Sequence, residues 1–157
     1  MKLLVPFSCI FLMASLLAED WPRWRGVRGD GSWKGPEISK KFPEKGLERV
    51  WKMPLNPGFS GITVQGNRVY TMDRPPVEEF GETERVICVN ALNGKALWQF
   101  EYPSKYGNLS YGKGPRASLT IHDERVFGFG AMGHAFCLNA KDGKQAWFRD
   151  LLSEGNA

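Results

Sequence analysis

Between positions 62 and 101 the apolar residues fall in short runs, "ITVQ", "RVYTM", "RVICVN" and "KALWQFE", separated by turn formers. The runs favour Val, Ile, Phe, Tyr and Trp, which suit a pleated, half-buried surface. Gly66-Asn67 divides the first pair and Asn93-Gly94 the second, and both dipeptides tolerate the positive φ that a tight hairpin needs. The order returns as "ASLTIHDERVFGFGA" and "HAFCLNAKDGKQAWFRD", with Asp142-Gly143 at the last turn. Apolar spacing of three and four is absent after the first eighteen residues, so the pattern predicts an all-β chain of four-stranded antiparallel units.

The two units are copies. Val69 matches Val126, Tyr70 matches Phe127, Cys88 matches Cys137, Asn90 matches Asn139 and Trp98 matches Trp147. The second half of each copy is offset by 49 residues and the first half by 57, which assigns the first copy an extra loop within Arg74–Glu84. Repeats of 40 to 50 residues with four strands each are blades of a β-propeller. In each copy the glycine, Gly94 or Gly143, makes the turn, and the lysine, Lys95 or Lys144, keeps its tip soluble. The indole of Trp98 or Trp147 is expected to pack between adjacent sheets. The blades are placed at about 60–101 and 116–151 within a partial propeller over 47–157, after an arm at 19–46. Trp51 in "LERVWKM" lies 47 residues before Trp98 and reads as the outer strand of a further blade. Because two blades do not close a ring, the remaining blades are expected from the same gene or from other copies.

Met1 and Lys2 precede an apolar run to Ala18, followed by Glu19 and Asp20. This is the layout of a secretory signal peptide over 1–18, and the run is short for a membrane span. Export to the periplasm or beyond is therefore expected, with no transmembrane anchor after cleavage. The formal charge is +4 and Lys2 leaves with the leader. So mild a charge, with lysines and glutamates interleaved over 37–48, excludes a nucleic-acid surface. Cys88 and Cys137 hold equivalent places in successive blades, too far apart to bridge, and read as buried core residues.

"VNALNGKALW" and "LNAKDGKQAW" resemble the Gly-Lys-x-x-Trp repeat of pyrroloquinoline-quinone (PQQ)-like β-propellers, with Asn93 and Asp142 in place of the usual threonine. "DWPRWRGVRGDG" and "YGKGPRASLT" are similar to segments of exported members of that family from planctomycete-type bacteria. The resemblance covers roughly 47–151 and makes the chain look like an N-terminal fragment. It implies a propeller that, in architecture, resembles the propeller subunit of the outer-membrane β-barrel assembly machine. PQQ is the one cofactor it implies. The adjacent Cys-Cys pair of PQQ alcohol dehydrogenases is not in the sequence, nor is an identifiable Ca²⁺-ligand set with a catalytic Asp, so no catalytic residue and no metal ligand is assigned.

Alternation of strands gathers the connections at 54–60, 74–84, 103–115 and 131–133 on one face, where binding residues commonly ride. Arg116, Tyr111 and Lys113 in "SYGKGPRA" are the leading ligand-binding candidates. A guanidinium there suits a carboxylate or quinone oxygen, or an acid of a neighbouring blade. Arg74 and His134 are further candidates, a lone histidine such as His134 being more often a hydrogen-bonded structural residue than a ligand. Asp73, Glu78, Glu79, Glu82 and Glu84 read as a solvated acidic loop, without the glycine turn of an EF-hand. "WPRWRG" is expected to staple the arm to the propeller wall through its tryptophans. The function expected is an exported non-catalytic binding or scaffolding module whose partner is a protein or cell-envelope component. The alternatives are a fragment of a quinoprotein dehydrogenase and a carbohydrate-associated extracellular module.

Overall fold

The computed structural model describes residues 18–155. The leader expected at 1–18 lies outside them except for Ala18. Among the described residues, β1 (Thr63–Gln65), β2 (Arg68–Asp73), β3 (Thr83–Asn90) and β4 (Ala96–Pro103) form one antiparallel sheet in sequence order. β5 (Thr120–His122), β6 (Arg125–Phe129), β7 (His134–Asn139) and β8 (Gln145–Asp150) form a second of the same topology. The registers coincide. Thr63, Tyr70, Cys88 and Trp98 stand side by side across the first sheet, and Thr120, Phe127, Cys137 and Trp147 across the second. The all-β expectation and the two four-stranded units are thus what the chain forms. Two four-residue helices add to it: α1 (Val77–Phe80) inside the extra loop and α2 (Leu151–Glu154) after β8. Each is a single turn, too short for apolar spacing to mark it as a helix.

The repeated motif is a turn with its own hydrogen bonds. Asn90 Oδ1 accepts from Leu92 N–H and Asn139 Oδ1 from Lys141 N–H, both at 2.8 Å. The glycine N–H then returns to the carbonyl of Asn90 or Asn139. Gly94 (φ 69°) and Gly143 (φ 73°) adopt the left-handed backbone that closes it. The hairpin between β5 and β6 reaches positive φ without glycine, at Asp123 and Glu124.

What the glycines provide beyond conformation is room. A Cβ on Gly143 would lie 2.5 Å from Cε3 of Trp98, and one on Gly94 would lie 2.7 Å from Cε3 of Trp51. Each indole also donates its N–H to a carbonyl of the turn it covers, Trp98 to Ala140 at 3.0 Å and Trp51 to Ala91 at 2.8 Å. Trp51 therefore takes an outer-strand indole's place, although 47–53 pairs with no strand among the described residues. Trp147 is 43 % exposed, against 9 % for Trp98, and among the described residues it covers no glycine turn.

The core lies between the sheets. Tyr70, Met72, Val86, Cys88, Trp98 and Tyr102 meet Leu119, Ile121, Val126, Phe136, Leu138 and Ala140. The aliphatic and aromatic area removed from water there drives the association. Arg68 reinforces the joint by donating to the carbonyls of Ala140 and Lys141. Both cysteines are free and buried, and burial pushes the Cys88 thiol up to about 11. The arm is tied on by backbone: Trp21 exchanges two 2.9 Å bonds with Val64 of β1, and Ile121 of β5 donates to Pro22. The Trp21 ring lies against Gly26 of the arm itself, so the tie to the propeller is made by these backbone bonds and not by the expected tryptophan staple. Trp24 stands 70 % exposed.

Candidate functional site: the loop-rich face

The connections expected on one face do meet there. Phe59 N–H donates to Pro115 O at 2.8 Å and Arg74 N–H to Pro57 O at 2.9 Å. A Cβ on Gly114 would come 2.8 Å from Gly58 Cα, so glycine alone permits that crossing of loops.

Two buried carboxylates lock the arrangement. Asp73, at the end of β2, accepts from Asn56 N–H and Nδ2 at 2.9 and 3.0 Å, and from Arg85 Nε and Nη2 at 2.9 and 2.7 Å. Glu84 accepts from the hydroxyls of Tyr102 and Tyr106 and, at 3.1 Å, from Ala131 N–H. It thereby joins the first sheet to the 104–119 connection and to the turn of the second sheet. Charge-assisted donors of this kind are what make a buried carboxylate tolerable. The reading of these two as solvated loop acids is thus overturned: both are fully buried. A signal was present, since Glu84, Val86 and Cys88 alternate on the inward side of β3. Burial first, and then the Glu84 charge, hold the Tyr102 phenol far above its ordinary range. The Tyr106 phenol is raised by burial first and then by its hydrogen bond to Glu84.

The candidate residues divide between two places. His134 and Arg74 belong to the knot around Glu84. The His134 ring meets Tyr102 edge-on at 5.4 Å, with its buried Nδ1 unpartnered among the described residues. Arg74 stacks 4.9 Å over the Tyr106 ring and faces Glu82 at 3.6 Å. Arg116 is elsewhere, in an open cleft of about 420 Å³ lined by Trp24, Phe59, Ala117 and Ser118. Its Nη2 donates to the carbonyls of Ser110 and Gly112, and its guanidinium lies 5.6 Å from the Phe59 ring centre. It pairs with no acid among the described residues. Tyr111 (90 % exposed, φ 66°) and Lys113 ride the same connection in solvent. Phe59, which helps complete the cleft, carries no motif that marked it, and Trp24, in "WPRWRG", was expected to staple the arm and not to line a cleft. Lys95 and Lys144 are exposed at the hairpin tips, each with its backbone N–H on the preceding Asn93 or Asp142. Among the described residues there is no cluster of three or more metal-ligating side chains.

The family described as "Outer membrane protein assembly factor BamB" matches residues 42–157. The chain is similar to the crystal structure of BamB from Moraxella catarrhalis, with 19 % sequence identity and a TM-score of 0.40. That match covers 64 % of this chain, which spans 23 % of the BamB chain. No match to a curated protein was found.

Proposed function

This chain belongs to the family of the outer membrane protein assembly factor BamB, and on that premise we propose that it is an exported, non-catalytic binding module. Its loop-rich face engages a protein or another component of the cell envelope. One observation carries this reading. The connections of both sheets are locked together by buried carboxylates, yet they present Phe59 and Tyr111 to solvent, beside Trp24 of the arm and an Arg116 that pairs with no acid among the described residues. A rigid scaffold beneath exposed aromatic and arginine side chains is the composition of a recognition surface. Among the described residues no helix is long and apolar enough to cross a membrane.

A photo-crosslinking amino acid placed at Phe59 or Tyr111, in cells of the source organism, is expected to give discrete adducts. The same group at Asn67, exposed on the opposite hairpin end, is expected to give none. Equal labelling from both ends would defeat the assignment of the face. Sequencing of the secreted form, expected to begin near Glu19, tests export. Dye-linked alcohol oxidation after addition of PQQ and Ca²⁺ would favour the quinoprotein alternative.

A further inference from the structure

We propose that the Trp24–Phe59–Arg116 cleft binds a carboxylated sugar ring, as in an acidic, uronate-bearing glycan; this rests on the loop-rich face being the binding face.

Its volume, about 420 Å³, falls in the usual range for small-ligand clefts, about 300–1,000 Å³. Its chemistry is two-sided. Trp24 is 70 % and Phe59 56 % exposed, so each ring offers an uncovered flat surface. Singly placed exposed aromatics are ordinary, but here two converge on one cation. Trp24 is held near by small neighbours. A Cβ on Gly61 would lie 4.0 Å from Trp24 Cε3 and only 2.5 Å from Ser118 Oγ, so a larger residue at 61 would push into the cleft wall.

The cation is fixed and uncompensated. Two loop carbonyls hold Nη2 of Arg116 while Phe59 supports its plane. Its buried Nε has no acceptor among the described residues, and no carboxylate there forms an ion pair with it. With Nη2 committed to the loop and Nε out of reach of solvent, Nη1 is the donor left to meet a carboxylate, from a guanidinium already held in place. The ligand must therefore combine an anionic carboxyl with a flat face rich in C–H, and carry polar edges for the Ser118 hydroxyl. A uronic acid ring has all three. An aromatic acid has the carboxylate and the flat face but no hydroxyls for Ser118.

Isothermal titration of the chain with tetragalacturonate is the test, with its fully methyl-esterified form and benzoate as comparison ligands. Binding is expected for the acid, weakened at least roughly tenfold for the ester and for Trp24→Ala or Arg116→Gln. Arg116 also ties its loop, so Trp24→Ala, at an exposed position, is the variant that leaves the fold intact, and circular dichroism verifies it. Arg116→Lys, which keeps the charge and loses the fork, should fall between. Absence of binding at millimolar tetragalacturonate would overturn the proposal. So would equal affinity for acid and ester, indifference to Trp24→Ala, or benzoate binding at least as tightly. If crosslinks at Phe59 persist while tetragalacturonate fails, only the ligand class is lost; if both fail, the face itself is.

Discussion

The two sheets share strand order, register and motif, yet they differ at the positions that matter most. Trp98 seats on Gly143 and is buried; Trp147, in the same register, is 43 % exposed. The motif thus specifies a half-contact, and its energetic worth comes from the turn that receives the indole. The sheets differ again at the loop face. Where the first has Asp73 and Glu84, the second has Gly130 and Gly133. Gly130 is small for a reason in the other sheet, since a Cβ there would lie 2.5 Å from Glu84 Oε2. The first blade supplies buried charge and a longer loop; the second supplies the tight turn against which that charge is packed.

The largest effect should come from the indoles. Trp98→Ala is expected to destabilise the chain by about 3–5 kcal/mol and Trp147→Ala by under about 1 kcal/mol, measured by urea unfolding. Equal losses would show that the exposed indole has a seat of its own. Next, Gly143→Ala combines a left-handed backbone with displacement of Trp98 and should cost about 2–4 kcal/mol. Gly66→Ala, at φ 53° with nothing near its Cβ, should cost about 1 kcal/mol. Between these two, Glu84→Gln puts an amide donor among hydroxyl and N–H donors and should cost about 1–3 kcal/mol, with Tyr102→Phe milder. The buried tyrosines of the core and of this knot predict an alkaline limit. Burial raises the phenol of Tyr70 to about 12 and those of Tyr102 and Tyr106 further. A folded-state value above the unfolded value of about 10 means stability is full below about pH 10 and falls as pH rises towards 12. Unfolding midpoints across that window should decline, and Tyr70→Phe should reduce the slope.

Much of this was legible in the linear chain. Period-two runs and Asn-Gly or Asp-Gly turns are local physics, so "LNGKALW" and "KDGKQAW" place the last hairpin of each sheet and "GNRVY" the first hairpin of the first, whereas the β5–β6 turn at Asp123-Glu124 is recognised by its match to the first copy. The matching of Gly94 with Gly143 and of Trp98 with Trp147 exposed the repeat without coordinates. The loop face was legible too, because strand alternation fixes which connections share an end. Its chemistry was legible only in part: alternation with Val86 and Cys88 puts Glu84 on the inward side of β3, but Asp73 sits among other acids and nothing local names the two tyrosines that reach Glu84.

The sequence by itself determined the strands, the turns and the pairing of blades, because alternation and glycine dihedrals act within a few residues. Tertiary structure alone decided which indole is buried, which carboxylates are sealed, and that Trp24, Phe59 and Arg116 converge. Those outcomes depend on groups distant in the chain, such as Trp24 and Arg116, being brought side by side by the packing of one sheet on the next.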